Sequence, residues 1–160
     1  MSTWLHTVTL VTALGCGLLG GAFFAFSSFV LHGLGKLPAA QAIEAMQSIN
    51  ASAVRAPFML AFLGTSALCA VVLVGAVLNG SRGGSALLLI GAAVYLAGNL
   101  VLTVVYHVPR NNALAALDPA APEAAARWRE YLSGWTAWNH VRSATGLISA
   151  ATLTLAALKA

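Results

Sequence analysis

Long uncharged runs alternate along this chain with shorter polar stretches. Residues 5–31 contain no Asp, Glu, Lys or Arg, and further apolar runs cover about residues 57–78, 85–106 and 138–158. A helix rises 1.5 Å per residue, so roughly 20 apolar residues cross the ~30 Å hydrocarbon layer of a bilayer. Each run therefore predicts a transmembrane helix. The NGSRGG segment, residues 79–84, predicts a tight turn that sets the second and third spans antiparallel. Pro109 predicts the end of the third span, because proline lacks the N–H and disfavours helix in the residue before it.

The two long connections, the first and the third, fall at the same end of a four-span bundle. In LPAAQAIEAMQSIN, residues 37–50, Ile43, Met46 and Ile49 recur every three residues while Gln41, Glu44 and Gln47 fall elsewhere, which predicts a short interfacial helix. In the third connection Pro122 and Glu123 suit a helix start. Beyond them Trp128, Tyr131, Trp135 and Trp138 share one helical face, as an aromatic stripe at headgroup depth would. The fold class expected is all-α: an integral membrane four-helix bundle forming one domain over residues 1–160, with short interfacial helices in the first and third loops.

Composition agrees with that pattern. The chain is 59% hydrophobic with a mean hydropathy of +0.85, well beyond the usage of soluble domains. Its net charge is +4 and its pI about 9.6, yet it has no Lys/Arg-rich run, so no nucleic-acid partner is expected. Lys36, Arg55, Arg110, Arg127, Arg129 and Arg142 lie on the long-loop side, against Arg82 and Lys159 on the other. That asymmetry predicts loops 1 and 3 in the cytoplasm and both termini outside, in a plasma (inner) membrane. The N-terminus lacks the basic region and cleavage site of a signal peptide, so the first span is expected to remain. Cys16 and Cys69 lie within apolar runs and read as packing residues.

Residues 15–21, GCGLLGG, match G-x-G-x-x-G, but they follow no strand and sit in mid-span, which rules out a dinucleotide site. Gly17 and Gly21, with Gly20 beside them and Ala25 a turn on, instead predict a close helix crossing. Gly91 and Gly98 give the third span a similar face, which permits a homo-oligomer.

Polar groups in such a chain are costly, and each one is a candidate for function. Asn99 lies within the third span, where it suits either an interhelical hydrogen bond or a ligand contact. His32, His107 and His140 fall at the long-loop end, so three imidazoles can converge there to hold copper, iron or haem, or to place a general base. Glu44, Asp118, Glu123 and Glu130 all lie in loops and no Glu-x-x-His motif exists, which argues against a ferritin-like di-iron bundle. Trp135, Trp138, Asn139 and Arg142 share a face of the fourth span, with His140 about 100° from Asn139. With Asn111, Asn112, Asn50 and Arg55 nearby, the mouth suits a flat, polar aromatic ligand. An imidazole base among amide and cationic donors can deprotonate a carbon acid and stabilise the resulting oxyanion.

Four segments then carry a resemblance: GAFFAFSSFV (21–30), LPAAQAIEAMQSIN (37–50), VPRNNAL (108–114) and WREYLSGWTAWNHVR (128–142). Together they resemble the small integral membrane family that includes the anthrone oxygenases. The resemblance implies a four-span protein, some of whose relatives oxidise anthrone-type polyketides to anthraquinones with dioxygen and no established organic cofactor. The family pattern maps onto Asn50, Asn112, Trp135, Asn139, His140 and Arg142. It departs at His107, where Asn is frequent, and at Arg110, where an apolar residue is usual, while His32 looks individual to this chain. The expected function is an anthrone oxygenase-like oxidoreductase, a monooxygenase acting on a lipophilic aromatic substrate. His140 or His107 would be the base, and Arg142, Asn139 and Asn112 would hold the oxyanion. The alternatives are a non-enzymatic protein that binds or passes a lipophilic ligand, and a metal- or haem-binding subunit.

Overall fold

In a computed structural model, described for residues 2–78 and 85–159, the chain forms five helices and, among these residues, no strand. We label them α1 (Thr3–Leu34), α2 (Ala39–Ala53), α3 (Ala56–Leu78), α4 (Ser85–Ala115) and α5 (Ala124–Leu158). All but α2 are long and apolar enough to cross a membrane. The expected turn at 79–84, with Arg82, lies outside the described residues.

The four long helices close into a ring in which α1 packs on α3 and α5, and α4 packs on α3 and α5. Leu14, Leu18, Phe24, Phe29, Leu60 and Val77 point outward and are exposed, as expected where the surrounding solvent is lipid. Cys16, Leu19, Phe62, Val72, Tyr95 and Leu153 belong to the apolar core inside the ring.

Glycine sets the tightest contact. A Cβ on Gly20 would lie 2.9 Å from the Leu147 amide nitrogen, and one on Gly146 would lie 2.8 Å from the Gly20 Cα, so α1 and α5 cross backbone to backbone. Of the glycines expected at this crossing, Gly21 faces open space, while Gly17 meets Ala150. On α4, Gly91 and Gly98 abut Leu153 and Thr145, so those small-residue faces are used within one chain.

Three elements differ from the expectation. The third span, α4, runs through Pro109 to Ala115, because the wide π turn at Thr103–His107 precedes the proline, which then stands in the first turn of the next α-helical stretch. The third-loop segment is no separate helix: it is the start of the 35-residue α5. Its aromatic stripe faces inward. Trp128, Tyr131 and Trp135 are buried against Leu31, Ile43, Met46 and Leu114, because α2 folds over this end and covers them, and only Trp138 is largely exposed.

Candidate functional site

Below the α2 cap, the buried face of α5 presents Trp135, Asn139 and Arg142 at helical spacing. Asn139 anchors the arrangement. Its Nδ2 donates to the Phe23 carbonyl (2.7 Å) and to Ser27 Oγ (2.6 Å) on α1, beside the π turn Phe26–Val30. Its Oδ1 accepts from Arg142 Nη2 at 2.6 Å. Both amide hydrogens of Asn139 are therefore spent on α1, which fixes its oxygen toward the Arg142 guanidinium.

Arg142 is only 5% exposed. Its Nη1 donates to Thr103 Oγ1 on α4 at 3.3 Å, and its Nε has no partner. The guanidinium carbon lies 4.2 Å from the Phe23 ring centroid and 4.9 Å from that of Trp135, so two aromatic faces supply part of the stabilisation that water would give. No carboxylate completes the pairing. All four acidic residues are exposed, and the one ion pair among the described residues is the surface pair Arg127–Glu130 at 3.7 Å. A buried cation without an anion is costly, so the missing partner is the informative feature.

His107 lies beside it. The two π turns of α4, Leu96–Val101 and Thr103–His107, widen the helix where it turns Thr103 and His107 to the bundle interior. The imidazole is 1% exposed, edge-on to Trp135 at 4.9 Å and to Tyr106 at 5.4 Å between ring centroids. Neither ring nitrogen makes a hydrogen bond of good geometry, although the Trp138 backbone is close enough to act on the ring. Buried polar atoms are rarely left so, and two on one imidazole mark a place for a ligand group or water.

A second network braces this one. Asn111 Oδ1 accepts from both Tyr131 OH and Trp135 Nε1, each at 2.9 Å. Asn50 Nδ2 donates to Tyr131 OH at 3.4 Å, and Gln47 Nε2 donates to the carbonyls of Leu114 and Leu117, tying α2 to the end of α4. Asn111→Ala strands two donors, at about 1–3 kcal/mol for a buried unsatisfied group. Thermal unfolding in detergent should show a lower midpoint, with Trp135 fluorescence altered in the folded protein; an unchanged midpoint and spectrum would rule out the bracing role.

The structure thus joins His107, Arg142, Asn139 and Trp135, with Asn50 in the bracing network. It does not join the rest. His140 is exposed, because Asn139 occupies the inward position and its neighbour points away. His32 is likewise exposed, so the three histidines do not converge, and among the described residues no group of three or more His, Cys, Asp or Glu is placed to hold a metal ion. Arg55 is exposed at the start of α3, and Asn112 is exposed while its neighbour Asn111 turns inward. Asn99 is fully buried and donates to Thr145 Oγ1 at 3.0 Å as an interhelical bond one helical turn from Thr103 and Arg142, while its Oδ1 has no partner. Trp138 stays at the edge, 44% exposed and 5.2 Å from the Tyr106 ring.

Sequence reasoning missed Phe23, Ser27, Thr103 and Tyr131 as parts of the site. Asn111, which the sequence places at the mouth, follows His107 by four residues, one helical turn.

Residues 58–152, more than half of the chain, match the family described as anthrone oxygenase. That stretch contains His107, Asn111, Trp135, Asn139 and Arg142. No curated protein and no solved structure matches.

Proposed function

The chain belongs to the anthrone oxygenase family, and from that membership we propose that it oxygenates an acidic C–H of a lipophilic aromatic substrate with dioxygen. The observation that carries this reading is the buried Arg142 with no anion, on the same Trp135 ring as an imidazole whose nitrogens make no hydrogen bond of good geometry. An anthrone-type substrate supplies both missing partners. Its ketone becomes an enolate oxygen on deprotonation, which suits Arg142, and its methylene carbon gives up a proton, which suits a nitrogen of His107.

The steps balance without an external reductant. His107 takes one proton from the methylene, and the negative charge spreads to the oxygen held by Arg142, which Asn139 and Thr103 keep in place. The carbanion reduces dioxygen, a C–O bond forms, and the proton returned to the distal oxygen gives a hydroperoxide. Loss of the second C–H proton with cleavage of the O–O bond leaves a carbonyl and releases water. One oxygen atom ends in the quinone and the other in water.

The apolar rings of Phe23 and Trp135 flank the guanidinium, so charge interactions there are stronger than in water. The positive-inside pattern of Lys36, Arg110, Arg127 and Arg129 supports placing this end of the bundle in the cytoplasm, in the plasma membrane, where substrate arrives with the lipid phase.

Detergent-purified protein given anthrone under ¹⁸O₂ tests the proposal. The expected product is anthraquinone carrying one labelled oxygen, formed faster than without protein and accompanied by dioxygen uptake. Binding of anthrone without uptake would leave the ligand-holding alternative, which the same unfilled anion site also suits.

A further inference from the structure

His107 and Arg142 are closed off from solvent, so a ligand reaches them only if part of their wall moves. One wall is shared with open space. Between the end of α4 and the start of α5 lies a groove of about 510 Å³ lined by Tyr106, Arg110, Glu123, Arg127, Glu130 and Tyr131, among others. Its size falls in the range of small-molecule sites. Tyr106 and Tyr131 are common to the groove and to the aromatic packing around His107.

We propose that this groove is the doorway through which a planar, weakly acidic aromatic reaches His107 and Arg142, and that the Tyr106 ring is the door. The inference rests on the oxygenase reading for the nature of the ligand, but the door itself is argued from geometry. Tyr106 is half-buried, with the His107 ring on one side and the groove on the other. It is held shut by stacking: the Arg110 guanidinium carbon sits 3.5 Å from its ring centroid and Trp138 leans on it at 5.2 Å. Neither contact is buried deeply, so both can be exchanged for contacts with a ligand. An acidic aromatic offers Arg110 a charge and a ring in place of Tyr106, which gives the guanidinium a reason to leave the door. Arg127 is paired with Glu130 and Glu123 also lines the groove, so the features that fit such a ligand are the aromatic and aliphatic lining and the Arg110 guanidinium over the Tyr106 ring.

Gly134 makes the closed position possible. A Cβ there would lie 2.7 Å from the Tyr106 hydroxyl but 4.0 Å from Cζ, so the clash involves the hydroxyl alone. Gly134→Ala therefore forces the Tyr106 hydroxyl to shift away from α5 and biases the ring toward opening, while Tyr106→Phe combined with Gly134→Ala removes the clash and lets the ring close again. Alanine is also the better helix former, so α5 itself is not endangered.

The test is acylation of His107 by diethylpyrocarbonate in the detergent-purified full chain, read peptide by peptide in mass spectrometry. In the wild type and in Tyr106→Phe, His107 should label slowly beside the exposed His32 and His140, which serve as internal controls. In Gly134→Ala the His107 rate should rise by about tenfold, the scale of a population shift of a little over one kilocalorie, with the control histidines unchanged. In the double variant it should return to the wild-type rate. Equal His107 labelling in wild type and Gly134→Ala, or a double variant that labels as fast as Gly134→Ala, would overturn the door and leave lateral access from the bilayer. Because this readout does not involve turnover, failure of the oxygenase reading shows separately as no dioxygen uptake on anthrone by the wild type.

Discussion

Replacing Arg142 with Met is expected to lower anthrone turnover by about 10²–10³, the cost of removing a preorganised oxyanion donor, without a matching loss of stability. The second half of that expectation is the more unusual. Deleting a buried arginine from an ion pair is strongly destabilising because it abandons a charge, but Arg142 has no carboxylate to abandon. The variant loses the 2.6 Å hydrogen bond to Asn139 Oδ1 and two ring contacts, and it gains relief from an uncompensated buried cation. These effects oppose each other, so the unfolding midpoint in detergent should stay near that of the wild type or rise. Arg142→Lys keeps the charge but not the planar fork that reaches Asn139 and Thr103 together, so it should recover only part of the activity. A variant that unfolds and loses activity in parallel would instead mark Arg142 as an architectural residue.

His107→Gln should lower the same turnover by about 10²–10⁴, the usual contribution of a positioned general base. Glutamine retains polar atoms and much of the volume beside Trp135, so the packing at 4.9 Å is largely kept while the titratable nitrogen is lost. The effect should fall on kcat more than on KM, since the imidazole acts on a bond that breaks and not on the ring that binds. Substrate binding followed by quenching of Trp135 should survive the change. Loss of binding with turnover per bound substrate intact would contradict the assignment.

The architecture was legible because it depends on run length. Four apolar stretches, three of them without a charged residue, and two amphipathic connections specify a membrane bundle whatever the details of packing. The extent of the helices was less so. Pro109 is a sound stop signal for an α-helix, but the preceding turn is π, and no local residue pattern announces the extra slack that carries the chain on to Ala115. The aromatic stripe on α5 had the right residues and the wrong surroundings, because only the fold-over of α2 decides that Trp128, Tyr131 and Trp135 face protein.

The site was readable where one helix carried it. Trp135, Asn139 and Arg142 at helical spacing belong to a single face, and they remain together in three dimensions. Grouping residues by their end of the bundle was too coarse for the histidines: End position puts His32, His107 and His140 at similar depth, but rotation about each helix axis puts only His107 inside. Asn112 and Asn111 differ in the same way, by one residue and about 100°. Phe23 and Ser27, which hold Asn139 from α1, lie in an apolar run with no local signal and become visible only through the helix crossing at Gly20 and Gly146. The choice of base follows from this. The resemblance to the anthrone oxygenases maps His140 onto the family pattern and treats His107 as a departure, whereas burial and packing put His107 on the same Trp135 ring as Arg142.

That difference gives the most direct test: anthrone-dependent dioxygen uptake by His107→Gln and His140→Gln, purified side by side and matched for folded protein. Uptake at or near the wild-type rate in His140→Gln, with almost none in His107→Gln, is the result predicted by a reacting site buried between α4 and α5. The reverse pattern, with His107→Gln active and His140→Gln silent, would contradict it and move the chemistry to the outer face of the bundle.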